Sequence, residues 1–151
     1  MSKQSALLSA STSALLLEVV DGALIIQHWG APLQGELESV QTAIRPSIAN
    51  SSWDVPQFPG IMRESSRGFL GRPTLSGHRH GKAWSTKFEV TDFHHNNNHV
   101  AITLRDFHAE LEVVISFDLD AHGVLTQKSS IKNIGSTDYT LNEYIHWLPL
   151  P

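Results

Sequence analysis

The sequence predicts an all-β protein built from short antiparallel strands. Three observations support this: apolar and polar residues alternate in several runs, turn-forming residues separate these runs, and no segment shows a convincing capped helical period. The clearest run is residues 109–119, where the odd-numbered residues are apolar and the even-numbered residues are mostly polar. A strand of this kind buries one face and exposes the other, so we expect an antiparallel sandwich or a barrel.

The other elements follow from the same two patterns. Residues 15–20 and 23–29 are predicted strands, and Asp21-Gly22 between them is typical of a two-residue hairpin turn. Further strands are predicted at residues 100–104, 125–133 and 140–148, with turns at residues 96–98, 120–123 and 133–138. Residues 37–44 come nearest to a helical pattern, and that pattern is weak.

Length and composition limit the possible functions. A chain of 151 residues has the size of one domain, and 40% hydrophobic residues are enough to build a core. The net charge of -4 disfavours nucleic acid and anionic membranes as partners, and no apolar run is long enough to span a bilayer. The absence of cysteine excludes disulfides and thiolate metal sites, and it fits a cytoplasmic location.

The two ends of the chain carry separate expectations. Residues 6–20 contain an apolar run, but Ser9, Ser11 and Ser13 interrupt it, and Glu18 lies where a hydrophobic region should continue. We therefore do not expect a signal peptide. At the other end, the last predicted strand runs directly into the sequence LPLP with no closing element. We therefore expect the chain to be a truncated piece of a longer protein.

Histidines and carboxylates are the first candidates for a reactive site. His78 and His80 have the spacing of two metal ligands on one strand face, but no suitable acid follows them, so we expect no metal and no cofactor. The remaining candidates are expected to be exposed turn or surface residues: His94, His95, His99, Glu110, Glu112, Asp118 and Asp120.

Residues 46–81 differ from the rest of the chain. They are rich in Ser, Gly, Pro and Arg and show little alternation, so we predict a long irregular segment, with residues 64–84 as its most unusual part. Arginines and aromatic residues in such a loop suit binding to a sugar or a protein, and a solvated loop is equally compatible with the composition. These residues are Arg63, Arg67, Arg72, Arg79, Trp53, Phe58, Phe69 and Trp84.

Taken together, several stretches resemble the N-terminal domain of family 36 glycoside hydrolases, the α-galactosidases. They are residues 64–84, the strand series 87–119, VLTQKSSIKNIGSTDYTLNEY at 124–144 and the final LPLP; GALIIQHWG at 22–30 looks like the family's first hairpin. The pattern around residues 133–141 is also similar to the galactose mutarotase superfamily. Both groups use a large antiparallel two-layer β-sandwich, the supersandwich, and the resemblance covers residues 22–151.

The resemblance implies a role without catalysis. In that family a (β/α)8 barrel follows the sandwich and carries both catalytic aspartates of a retaining mechanism, so residues 1–151 would be one non-catalytic domain. This domain would pack against the barrel, support a homo-oligomer and border the site that binds the α-galactoside. The implied rim candidates are Arg67, Arg72, His78 and Arg79. Related loops often carry an acid between Gly and Arg, and none lies between Gly68 and Arg72 here.

Two alternatives remain open. A mutarotase-like epimerase needs a general base on a late strand, and Glu143 is the one acid there. A free-standing carbohydrate-binding module would use tryptophans as a stacking platform, chosen from Trp29, Trp53, Trp84 and Trp147. If the domain instead docks onto a barrel, we expect exposed apolar surface at Trp147, Leu148 and Leu150.

Overall fold

The computed structural model describes residues 4–34 and 60–148. Within these ranges the chain forms strands and one 3₁₀ turn at Ser65–Arg67, and none of it is a helix that could cross a membrane. The predictions for residues 37–44, Trp53, Phe58 and Leu150 lie outside the described residues. In order, the strands are β1 (Ser5–Ser9), β2 (Ala14–Val20), β3 (Ala23–Gly30), β4 (Leu75–His78), β5 (Glu89–Asn96), β6 (His99–Asp106), β7 (Leu111–Leu119), β8 (Leu125–Asn133) and β9 (Thr140–Tyr144).

The first sheet is antiparallel, in the order β1-β2-β3. The predicted hairpin between β2 and β3 is confirmed: Asp21 and Gly22 both have positive φ, 49° and 76°, as a two-residue turn that matches strand twist requires. The sequence did not indicate β1 as a separate strand. Of the serines that interrupt residues 6–20, Ser9 ends β1, and Ser11 and Ser13 lie in the turn between β1 and β2. The N–H of Ala10 closes this turn by donating to the Ser13 carbonyl (2.8 Å).

The second sheet is antiparallel, in the order β5-β6-β7-β8, and contains the longest strands. The odd-numbered side chains of β7 are buried and the even-numbered ones are half-buried, as the alternation predicts. Strand β7 begins at Leu111, two residues later than expected. The reason is Glu110, whose φ of 54° places it in the preceding turn.

A third, two-stranded sheet pairs β4 with β9. Strand β4 belongs to the segment predicted to be irregular, so the described part of that segment, residues 60–81, is more ordered than its composition indicates. Leu75 and Gly77 of β4 are buried, but four residues that include Ser76 and Gly77 are too few to show an alternation. Strand β9 ends at Tyr144, before the predicted end at residue 148.

The core lies between the first and second sheets. Leu8, Leu15 and Leu17 from the first sheet and Ile102 and Ile115 from the second belong to one fully buried apolar cluster. The two sheets therefore pack face to face, and the predicted all-β, antiparallel two-layer β-sandwich is confirmed.

Three turns meet at one end of the sandwich. The Asn98 side chain accepts from the Ser9 N–H (3.1 Å) and donates to the Ser9 carbonyl (2.9 Å). The Thr12 hydroxyl donates to the His122 carbonyl (3.1 Å). These bonds link the β1–β2 turn to the predicted turns at residues 96–98 and 120–123, so polar turn residues hold the two layers together at this end.

Near the end of the described chain, the Trp147 ring packs against Arg63. The Arg63 guanidinium lies 3.8 Å from the centroid of the Trp147 ring and 5.4 Å from that of Phe69. Trp147 is half-buried, and Leu148 beyond it is exposed. The apolar surface expected at the end of the chain is thus reduced to Leu148 among the residues described there.

Candidate binding cleft

Arg67, the first of the four rim candidates, lies within the fold, and its side chain is 15% exposed. Its Nε donates to Glu64 Oε2 (3.1 Å), and its terminal nitrogens donate to the carbonyls of Asp21 (3.1 Å) and Phe88 (2.8 Å). The guanidinium therefore joins the 3₁₀ turn to the β2–β3 turn and to the residue before β5. These internal bonds use the donors that a ligand would need.

Arg79 has a similar internal position at the end of β4, with a side chain that is 12% exposed. It donates to the Thr137 carbonyl, to the Ala109 carbonyl (3.0 Å) and to Asn133 Oδ1 (2.8 Å). Arg79 thus connects β4 to the β8–β9 turn and to the turn before β7. Like Arg67, it stabilises loop geometry from within.

Arg72 and His78 have different positions from these two arginines. The Arg72 side chain is 69% exposed and forms a bidentate pair with Glu143 of β9, in which Nε lies 2.7 Å from Oε2. His78 is half-buried, and its Nδ1 accepts from the Gly81 N–H (3.3 Å). The structure therefore does not gather the four candidates into one site: two are internal, one is paired on the surface and one lines a cleft.

The cleft next to β4 has a volume of about 310 Å³. Its borders are Glu64 and Ser65, strand β4, the consecutive residues 84–86, and Asn142 of β9. The sequence singled out Trp84 and His78, but Glu64 and Asn142 were not expected at a site. Their positions depend on the 3₁₀ turn and on the pairing of β4 with β9, which no local pattern indicates.

Glu64 is buried at the wall of this cleft. Its Oε1 accepts from the Phe88 N–H (2.8 Å), and its Oε2 accepts from Arg67. Burial raises the pKa of Glu64 to about 7, and the Phe88 hydrogen bond and the Arg67 charge act against that rise. Near neutral pH the Glu64 carboxyl therefore changes its charge inside the fold.

This pKa predicts a pH-dependent stability. The folded chain retains a proton on Glu64 up to a pH of about 7, whereas the unfolded chain loses it near 4.5. The free energy of unfolding should therefore fall as the pH rises across that interval, by up to about 3 kcal/mol from this group. Urea unfolding across the interval, compared with Glu64→Gln, measures this contribution.

The Glu64→Gln variant should lose this part of the pH dependence and gain stability relative to the unaltered chain as the pH rises. Glu143→Gln is the control, because its carboxylate is more exposed than that of Glu64. Parallel stability profiles for the unaltered chain and Glu64→Gln would contradict the raised pKa.

Other charged residues do not converge on the cleft. His94 and His99 are exposed and pair with Asp92 (2.8 Å) and Asp118 (2.6 Å). Asp120 accepts from the N–H groups of His122 and Val124, and the Val124 bond is the main cause that lowers its pKa. Across residues 4–34 and 60–148, no group of three or more potential ligands could hold a metal ion.

Glu110 and Glu112 also differ in environment. Glu110 Oε2 lies 3.7 Å from Arg79 Nε, and Glu112 accepts from Arg105 on the neighbouring strand (2.7 Å). Each carboxylate is thus paired with a different arginine. Glu110 is 48% exposed, as expected of a surface charge, whereas Glu112 is only 15% exposed. Neither belongs to the cleft.

Comparison with known proteins places this sandwich in a family. Residues 22–151 match the Glycosyl hydrolase family 36 N-terminal domain, which is most of the chain. The chain belongs to this family. The resemblance inferred from its strands and loops is therefore confirmed over the same residues.

The relatives of this family 36 N-terminal domain are much longer proteins. It is 27% identical over 143 residues to an α-galactosidase of Escherichia coli, an alignment that covers 95% of this chain and 20% of the relative. Among solved structures it resembles the α-galactosidase AgaA of Geobacillus stearothermophilus in complex with 1-deoxygalactonojirimycin, with a TM-score of 0.77, 13% identity, and coverage of 95% of this chain and 24% of the other.

A second solved structure has the same fold. The galactosidase domain of an α-galactosidase-sucrose kinase, AgaSK, gives a TM-score of 0.72 at 14% identity, over 93% of this chain and 23% of the other. The chain thus spans a quarter or less of the length of each of these proteins.

Proposed function

We propose that residues 1–151 form the single, non-catalytic N-terminal domain of a longer retaining α-galactosidase. The observation that carries the proposal is the family match over residues 22–151, together with a relative named α-galactosidase of which the chain spans 20%. The described carboxylates support it, because a retaining glycosidase needs two that converge on one bond. The candidates considered above do not converge: Asp118, Glu110 and Glu112 pair with separate basic residues, Asp120 caps a turn, and Glu64 is buried at the cleft wall.

In this proposal the remainder of the enzyme supplies a (β/α)8 barrel with the catalytic aspartates, which hydrolyses terminal α-galactosides in the cytoplasm. The sandwich packs against this barrel, supports a homo-oligomer and borders the active site. Arg72 fits the rim role because its side chain is 69% exposed, and His78 fits it because it lines the cleft. Arg67 and Arg79 would act indirectly, by fixing the loops that form the rim.

The mutarotase-like alternative gains no support from the position of its general base. Glu143, the acid on the late strand, is held in a bidentate pair by Arg72. An arginine in that position occupies both oxygens of the carboxylate. An epimerase would need this group free to take a proton from a sugar.

The proposal is tested by hydrolysis of a chromogenic α-galactoside. We expect no activity from the 151-residue chain above a buffer blank, and activity from a chain that continues into the following coding sequence. The physical reason is that the two catalytic carboxylates would belong to the continuation.

The control is a chromogenic β-galactoside, which the longer chain should not hydrolyse. Hydrolysis of the α-galactoside by the 151-residue chain itself would overturn the proposal. So would an inactive longer chain that is folded and contains the barrel.

A further inference from the structure

We propose that the cleft beside Trp84 is a binding site for one neutral sugar ring, with Trp84 as the stacking surface. Trp84 is 68% exposed although it borders a concave site. A tryptophan in a β-domain ordinarily contributes its large apolar surface to packing, so an indole presented to solvent at a cleft is available to a ligand. Because His78 lines this cleft, the inference deepens the rim role proposed for the domain and rests on that proposed function.

The backbone before Trp84 has an unusual conformation. The two-residue turn at His80 and Gly81 has φ values of 48° and 78°, and Ala83 has a φ of 53°. A positive φ is uncommon for alanine, and such residues are enriched at functional sites. The Tyr139 hydroxyl donates to the Ala83 carbonyl (3.4 Å), which adds a contact next to the exposed indole.

Asn142 reaches the cleft through an irregularity in the sheet. Ser76 lies opposite Glu143 and Gly77 lies opposite Leu141, so Asn142 is the extra residue of a β-bulge in β9. Bulges redirect side chains and are frequent next to binding sites. The amide of Asn142 can both donate and accept a hydrogen bond, as recognition of a sugar hydroxyl requires.

His78 supplies a donor on the same wall. Because its Nδ1 accepts from the Gly81 N–H, the neutral ring carries its proton on Nε2. None of the described residues forms a hydrogen bond with that Nε2. The hydroxyls of Ser76 and Ser85 also line the cleft.

The lining favours a sugar over other ligands. Among the described residues that border the cleft there is no lysine or arginine, which disfavours an anion, and the polar groups around the indole disfavour an apolar protein surface. The one carboxyl among the described lining residues, Glu64, has its oxygens engaged by Phe88 and Arg67. One aromatic face with the neutral groups of Ser76, Ser85 and Asn142 matches the apolar face and the hydroxyls of a hexose. A volume of about 310 Å³ is at the low end for small-molecule sites, which suits a single ring.

The test is a titration of the 151-residue chain with raffinose, followed by calorimetry and by saturation-transfer NMR of the sugar. We expect a Kd of about 1 mM and a weakening of at least about tenfold in Trp84→Ala. Asn142→Ala should weaken binding several-fold, because it removes hydrogen bonds but leaves the indole. Trp84 is exposed, so Trp84→Ala should fold, and a thermal melt checks this.

Phe107→Ala is the matched control, since Phe107 is an aromatic residue with the same 68% exposure in the β6–β7 turn, away from the cleft. Binding that is retained in Phe107→Ala and lost in Trp84→Ala supports the inference. No binding by the unaltered chain at about 100 mM raffinose, or equal weakening in both variants, overturns it. Because the titration needs no hydrolysis, its failure is distinct from failure of the proposed function.

Discussion

Above a pH of about 7, where Glu64 is charged, replacing Arg67 with methionine should lower the free energy of unfolding by about 4 kcal/mol, because a buried ion pair would lose one partner. Methionine retains much of the apolar length of the side chain but none of its donors. The Glu64 carboxyl would then lie buried with only the Phe88 N–H and Thr86 as partners. The carbonyls of Asp21 and Phe88 would also lose the bonds that Arg67 donates.

The measurement is urea unfolding of Arg67→Met and of the control Arg72→Met. Arg72 also pairs with a glutamate, but its side chain is 69% exposed, so its loss should cost about 1 kcal/mol or less. A large loss of stability in both variants, or in neither, would contradict the internal role assigned to Arg67. The difference in stability between the two variants thus distinguishes Arg67, which stabilises the fold, from Arg72, which lies on the surface.

The sequence predicted the sandwich well where one face of a strand is buried and the other is not. Strand β7 shows this clearly, because each of its apolar odd-numbered residues is buried and each even-numbered residue is only half-buried. Turns were predicted for a related reason: Asp21-Gly22 has residue types suited to positive φ, and the chain uses it so. Strand β4 was missed because its partner β9 is distant in sequence. The strand also has only four residues, two of which are Ser76 and Gly77, so it shows no recognisable alternation.

The cleft was predictable only in part. Composition drew attention to arginines and aromatics in residues 64–84, but it could not separate Arg67, with its internal acceptors, from Arg72 on the surface. That difference depends on carbonyl oxygens from other strands, which leave no trace in the local sequence. Asn142 shows the same limit, because a bulge results from the register between two strands.

Replacing Gly77 with alanine should lower the free energy of unfolding by about 3 to 4 kcal/mol, through forced separation of β4 and β9. A Cβ at Gly77 would lie 2.5 Å from the Thr140 carbonyl oxygen and 2.5 Å from the Tyr139 ring. The first of these is backbone of the paired strand, so the clash cannot be relieved by a rotamer change. Thermal and urea unfolding measure the loss.

Gly81→Ala is the control for this prediction. A Cβ at Gly81 meets no atom within 4 Å, but its φ of 78° is unfavourable for alanine, so the cost should be about 1 kcal/mol. Equal losses for the two glycines would show that close packing of β4 on β9 is not the cause. Because Asn142 lies in the bulge beside Gly77, Gly77→Ala should also weaken raffinose binding at temperatures where the variant remains folded. Gly81→Ala should weaken it less, because an added Cβ at Gly81 displaces no neighbouring atom.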